Sequence, residues 1–130
     1  MKNQKIIVSK EPREGRIHHA INPQGRSLVY QYPLDKLAPN ETCCDYLLLN
    51  GTKRTAYLIE LKGKKIRKAI DQLQGGEQLF KENLEGFRIY YRIVFSKAST
   101  HDIKSMEFRK FKEQCGNKLN YGSQYMVEEI

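Results

Sequence analysis

Two apolar segments joined by a short polar turn constrain the fold of this chain more than any other feature. The segments are residues 43–49 (CCDYLLL) and 55–62 (TAYLIELK), and residues 50–54 (NGTKR) separate them. Short apolar runs on either side of a turn signal predict a β-hairpin. Apolar side chains fall on both faces of these strands, so we expect the sheet to be covered on both sides.

Charged residues lie at the open end of this predicted hairpin. If Asn50 pairs with Thr55, Asp45 falls opposite Glu60, and Lys62, two residues further on, shares the face of Glu60. Charges at the end of a buried sheet are costly unless they are used or paired. The three side chains therefore predict either a functional site or an ion-pair cluster at the sheet edge.

The functional alternative is a site for a hard divalent cation. Carboxylates on neighbouring strands lie about 5 Å apart, and Mg²⁺ prefers carboxylate, carbonyl, water and phosphate oxygens. Asp45 and Glu60 are the candidate ligands, and the main-chain carbonyl of Leu61 offers a further oxygen. With Mg²⁺ or Mn²⁺ bound and the Lys62 ammonium nearby to orient water or stabilise the transition state, the arrangement suits phosphodiester hydrolysis.

Length and charge narrow the class of protein. The 130 residues predict one domain, 1–130, and 23 Lys and Arg against 15 Asp and Glu give a net charge of +8, which favours nucleic acid as the partner over an anionic membrane. We expect neither a membrane span nor a signal peptide, and hence a cytoplasmic protein. The three cysteines lack metal or disulfide spacing, so we expect small, reduced, buried side chains.

The N-terminal third predicts strands near residues 6–9 and 28–32. A polar run with turns, residues 11–26, separates them, and a turn-rich bridge without a regular strand follows at 32–40. His18 and His19 fall in the polar run and are expected to be exposed, with metal binding or action as a base as the alternative. We expect the tyrosines at 30, 32, 90 and 91 to occupy core or half-buried positions, with base stacking as the alternative role.

The remainder predicts helices alternating with strands. Ile66, Ala69, Ile70 and Leu73 recur at helical spacing, so a helix begins near Lys64, and Gly75-Gly76 ends or kinks it before helical character resumes at 77–84. Residues 87–95 predict a core strand parallel to 55–62, residues 104–114 a basic helix, and residues 119–130 a last short strand. The fold class is α/β, with helices against a mixed sheet.

Asp45, the Glu60-Leu61-Lys62 run at the end of an apolar strand, and the helix that carries Gln72 together resemble the PD-(D/E)XK nuclease superfamily. The resemblance covers residues 43–95. It implies a restriction-endonuclease-like mixed β-sheet flanked by helices, a metal-dependent hydrolase acting on DNA more than on RNA, Asp45 and Glu60 as metal ligands, Lys62 as the catalytic lysine, and Gln72 as the helix glutamine near the site. Gln74 and Gln78 are near rivals for that last role.

Two positions depart from the superfamily pattern. Cys44 stands where the motif has a proline, a position that supplies no catalytic group. Many members also add an acidic residue from an N-terminal helix, and here only Glu11 and Glu14 are available in a region predicted as strands and turns. The missing acid favours a second hypothesis, a non-catalytic nucleic-acid-binding or assembly protein that retains the nuclease fold.

The basic run that follows the motif has two interpretations. Lys64, Lys65, Arg67 and Lys68 either bind phosphates along the helix start or form a solvated helix face. One small domain carries one site and covers little of a duplex, so a homodimer is the oligomer we consider.

Overall fold

The computed structural model describes residues 4–11, 15–61, 65–95 and 104–130. In chain order, the strands are β1 (Ile6–Lys10), β2 (Ile17–Ile21), β3 (Val29–Pro33), β4 (Tyr46–Asn50), β5 (Thr55–Glu60), β6 (Arg88–Phe95), β7 (Leu119–Ser123) and β8 (Tyr125–Glu129). The α-helices are α1 (Leu34–Leu37), α2 (Ile66–Leu79) and α3 (Met106–Cys115), and short 3-10 turns occupy Pro23–Gly25 and Gly116–Lys118. The predicted α/β class is confirmed.

A five-stranded mixed sheet in the order β3-β4-β5-β6-β7 forms the centre of the fold. The β4–β5 hairpin has the predicted register, with Asn50 opposite Thr55 and Tyr46 opposite Ile59. The Asn50 side chain accepts a hydrogen bond from the Lys53 main-chain N–H at 3.0 Å, which closes the turn. β6 runs parallel to β5, as predicted, because α2 carries the chain back across the sheet between them.

The helices cover one face of this sheet. Ile66, Ala69, Ile70 and Leu73 of α2 lie in the same buried cluster as Leu58. From α3, Phe108 and Phe111 enter this cluster. The apolar periodicity that predicted both helices therefore marks the faces that they bury.

A second sheet covers the opposite face. It has three strands in the order β1-β2-β8, with β1 antiparallel and β8 parallel to β2. Ile7, Ala20 and Met126 from this small sheet share a core with Tyr57 and Ile59 of β5. The prediction that the central sheet is covered on both sides is confirmed: in the described part of the chain, the helices pack on one side and the small sheet packs on the other.

Three predictions for the chain ends were wrong. The polar run at 11–26 contains β2, because alternate side chains of that strand are buried between the small sheet and the central sheet. The bridge at 32–40 contains the end of β3 and the helix α1. Residues 119–130 form two strands, one in each sheet, where the sequence predicted one.

The four tyrosines also divide between two environments. Tyr90 and Tyr91 are half-buried, as expected, but Tyr30 and Tyr32 are exposed because they lie on the edge strand β3.

Cys43 and Cys44 are buried, and Cys115 is half-buried; all three thiols are free. None of the helices in the described part of the chain has the length and apolar character needed to cross a bilayer.

The glycine pair Gly75-Gly76 neither ends nor kinks α2, which continues to Leu79. A Cβ at Gly75 would lie 2.1 Å from the carbonyl oxygen of Thr42, and one at Gly76 would lie 2.9 Å from Sγ of Cys44. The glycines therefore let α2 pack closely against the chain that leads into β4. The helix ends before residues 80–86, so the second predicted helical segment is a series of turns over most of its length.

A buried polar cluster lies between the two sheets. The Arg92 side chain of β6 donates two hydrogen bonds, at 2.7 and 3.0 Å, to the Glu128 carboxylate of β8, and His18 Nε2 lies 2.6 Å from the same carboxylate. His18 is wholly buried, so the expectation of an exposed histidine was wrong. Burial opposes ionisation of Glu128, but the hydrogen bonds from His18 and Arg92 outweigh it and lower the pKa of Glu128.

Gly75→Ala should destabilise the protein by about 2 kcal/mol, although alanine raises helix propensity by about 1 kcal/mol, because the new methyl group overlaps the Thr42 carbonyl. Gln74→Ala, at an exposed position of the same helix, is the matched control and should be neutral or slightly stabilising. Urea unfolding followed by circular dichroism measures both variants. A Gly75→Ala protein as stable as wild type would contradict the close packing of α2 on residue 42.

Glu128→Gln should destabilise the protein by about 2 kcal/mol at pH 5, because Arg92 and His18 lose their ionised acceptor. A carboxyl whose folded-state pKa is lowered stabilises the protein above its unfolded pKa, and that contribution disappears as the pH falls through the folded pKa. The difference from wild type should therefore shrink between pH 5 and pH 3, measured by urea unfolding. Glu113→Gln, on the exposed face of α3, is the control. An equal loss of stability at pH 5 and pH 3 would contradict the lowered pKa of Glu128.

Candidate functional site

Asp45 lies immediately before β4, at the end of the hairpin away from the turn, and is largely buried. Its Oδ2 accepts a hydrogen bond of 2.8 Å from the main-chain N–H of Leu61. This bond continues the β4–β5 pairing by one step beyond the paired residues Tyr46 and Ile59. The Asp45 carboxylate is therefore held against the peptide group that joins Glu60 to Leu61.

Glu60 is the last residue of β5, and its side chain has no solvent exposure. Alternation along the strand places it on the same face as Ala56 and Leu58, which is the face that α2 covers. The prediction that Asp45 and Glu60 share one end of the hairpin agrees with the observed register and with the contact at Leu61. Both carboxyl groups lie where the helix, the sheet and the chain before β4 meet.

The pKa of the Cys43 thiol is raised by burial and by several carboxylates near this end of the hairpin. Burial raises the pKa of Cys43, and the carboxylates of Glu60, Asp35, Asp45 and Glu41 raise it further. The adjacent Cys44, at the position of the motif proline, is fully buried, and its pKa is raised by burial and then by Glu60. Several carboxylates thus lie near the Cys43 and Cys44 thiols, on the segment that leads into β4.

Within residues 4–11, 15–61, 65–95 and 104–130, no third His, Cys, Asp or Glu side chain joins Asp45 and Glu60 in a group that could hold a metal ion. No group of three or more His, Cys, Asp or Glu side chains in those ranges is arranged to hold a metal ion. The potential donors on the protein are thus the two carboxylates and the Leu61 carbonyl. Such a set suits Mg²⁺, which keeps several water or phosphate oxygens, better than Zn²⁺, which takes three or four nitrogen and sulfur ligands.

Among the glutamines of α2, Gln72 is distinguished by its position. It is half-buried, whereas its rivals Gln74 and Gln78 are exposed. Gly76, four residues later on the same helix face, packs against Cys44, the neighbour of Asp45. Gln72 therefore lies one helical turn from the contact between α2 and the carboxylate segment.

The predicted basic residues divide between the described and undescribed parts of the chain. Lys65, Arg67 and Lys68 are all exposed at the start of α2, which follows the Glu60 end of β5. Lys62 and Lys64 lie outside the described residues. Because these three side chains are exposed, both predicted roles, phosphate binding and a solvated helix face, stay open.

The N-terminal acid of the superfamily has no clear counterpart in the described chain. Glu11 forms an ion pair with Arg16 at 3.7 Å, and Glu14 lies outside the described residues. Sequence reasoning missed Asp35, which is carried by α1 and contributes to the negative potential at Cys43. The signal was a short Leu-Asp-Lys-Leu segment after Pro33, since proline just before or within the first turn is common at helix starts.

Fold and site define an α/β protein with paired carboxylates at the end of a central β-hairpin and exposed cations beside them. No family model, curated protein or solved structure matches this chain.

Proposed function

We propose that this protein is a metal-dependent nuclease that hydrolyses phosphodiester bonds, with DNA as the favoured substrate and the cytoplasm as the expected compartment. The observation that carries the proposal is the hydrogen bond from Leu61 N–H to Asp45. It holds the Asp45 carboxylate against the strand end that bears Glu60, and Lys62 follows Glu60 by two residues in the sequence. A resemblance first drawn from spacing is thereby supported by a contact between the residues.

The donor set fits Mg²⁺ or Mn²⁺. Asp45 and Glu60 supply two carboxylates, and the Leu61 carbonyl supplies a main-chain oxygen. Asp45, Glu60 and the Leu61 carbonyl would hold such a cation, which would supply Lewis-acid chemistry, namely polarisation of a phosphoryl group and activation of water.

The remaining residues act on the substrate and on its proton. Lys62 follows the strand end by two residues, and its ammonium is assigned to orient the attacking water and stabilise the charge of the transition state. Lys64, Lys65, Arg67 and Lys68 are assigned to phosphates that flank the scissile bond. Gln72 is assigned a positioning role from its half-buried place on α2.

A non-catalytic nucleic-acid-binding or assembly protein is the second candidate. The burial of both carboxylates favours it, since Glu60 has no solvent exposure and Asp45 only 8 %. In that protein the Asp45 bond to Leu61 only closes the hairpin, and the basic side chains bind nucleic acid without cleavage. Metal binding separates the two functions, because only the nuclease requires it.

Isothermal titration should show Mg²⁺ and Mn²⁺ binding to the wild type, and Asp45→Asn should weaken it by at least about tenfold. Asparagine keeps an oxygen to accept the Leu61 N–H and removes the charge, so the fold is retained. Glu41→Gln is the matched control, since it removes a nearby exposed charge that is not at the strand end. Failure of the wild type to bind either metal, even with DNA present, would contradict the nuclease and favour the second candidate.

Cleavage of plasmid and branched DNA should require the metal and should be abolished in Glu60→Gln, which loses a ligand charge but keeps the side-chain shape. Lys62→Ala should reduce the cleavage rate by about 10²-fold or more while the metal affinity changes little, because the ammonium acts on the reaction and not on the ion. Circular dichroism confirms that each variant is folded. Wild-type cleavage by the Glu60→Gln protein would refute the site assignment.

A further inference from the structure

The small sheet has an outward face whose side chains form a regular grid. The register of its strands aligns three rows across β1, β2 and β8. The rows are Lys10, Ile17 and Tyr125; Val8, His19 and Val127; and Ile6, Ile21 and Glu129. The residues between these positions point inward, as the alternating burial of β1 and β2 shows.

Seven of the nine grid positions carry an apolar side chain, a tyrosine or a histidine, and the other two carry Lys10 and Glu129. Ile6 is 56 % exposed, Val8 44 %, Tyr125 50 % and Val127 46 %. A sheet with one solvated face ordinarily alternates apolar and polar residues, so an outward face of this composition is not explained by the fold of one chain. Contiguous exposed apolar surface of this kind marks an interaction site.

Two opposite charges occupy diagonally opposite corners of the grid. Lys10 lies at one end of the edge strand β1, and Glu129 lies at the other end of the opposite edge strand, β8. Both side chains are exposed. The centre of the grid is His19, whose Nδ1 lies 2.7 Å from the Tyr125 hydroxyl.

We propose that this outward face binds the same face of a second copy of the chain, with the two-fold axis along the grid diagonal through Ile6, His19 and Tyr125. Rotation about that diagonal places Lys10 of each copy opposite Glu129 of the other. With strands about 4.8 Å apart and rows about 6.7 Å apart, the diagonal lies about 35° from the strands, so the strands of the two copies cross at about 70°, nearer to the orthogonal than to the aligned class of sheet packing. Val8 faces Ile21, and Ile17 faces Val127, so apolar side chains meet apolar side chains.

The charges of the face favour a second copy over the other partners of a basic protein. Nucleic acid and anionic lipid select clusters of lysine and arginine, and this face carries one lysine balanced by one glutamate. Aligned packing of two copies would place Lys10 against Tyr125 and leave both charges unmatched. The diagonal arrangement satisfies both, because a two-fold interface contacts itself reciprocally.

The size of the face sets the strength of the dimer. Two such faces, with the exposed fractions given above, would bury on the order of 1,000 Å² in total, the lower limit for a specific interface. We therefore assign a reversible dimer with a dissociation constant in the micromolar range. This interface is independent of the proposed nuclease activity, since the helices and the carboxylate site lie on the other side of the central sheet.

Sedimentation equilibrium of the full chain between about 1 and 300 µM tests the proposal. Lys10→Glu and Glu129→Lys, made singly, should each weaken the dimer by about tenfold, because each replaces two attractive corner pairs with two repulsive ones. The double variant Lys10→Glu/Glu129→Lys should restore the affinity of the wild type. Lys110→Glu on α3 is the control for the change in net charge and should have little effect.

A wild type that remains monomeric over this range would overturn the proposal. A dimer that is insensitive to both single variants would also overturn it, because the contact would then lie elsewhere. Weakening by both single variants without rescue in the double variant would overturn the diagonal arrangement. Circular dichroism of the variants excludes unfolding as the cause of any loss.

Discussion

The pairing of β4 with β5 is the constraint on which the rest of this structure depends. With Asn50 opposite Thr55, every apolar side chain of the hairpin enters one of the two cores, and a slip of one residue would exchange the faces. The same register brings Asp45 to the strand end, where Leu61 N–H binds it. Stability and site geometry therefore rest on a single set of main-chain hydrogen bonds.

Each face of the central sheet buries a polar group, and the two groups differ in their partners. On the small-sheet face, Glu128 is satisfied by an arginine and a histidine and joins the two sheets. On the helix face, Asp45 is held by a main-chain N–H next to the buried Glu60. The first arrangement is typical of a structural ion pair, whereas the second brings two carboxyl groups to the same strand end.

The layered architecture separates the two proposed functions in space. The helices and the carboxylate pair lie on one side of the central sheet, and the grid of exposed apolar residues lies on the far side of the small sheet. Two copies joined through their small sheets would thus keep both carboxylate sites and the basic starts of α2 turned outward. A pair of weak phosphate-binding surfaces linked in this way gains affinity for a long polyanion by multivalency.

The sequence by itself determined the hairpin and its register, the helices α2 and α3, the parallel strand β6, and the convergence of Asp45 with the Glu60 strand end, because periodicity and turn chemistry act over short distances along the chain. Tertiary structure decided what local patterns do not encode. His18 is buried because Glu128, 110 residues away, meets it, and Gly75 continues a helix because residue 42 lies against it. It also decided that a second sheet covers the face opposite the helices, since β2 pairs with β8 from the far end of the chain.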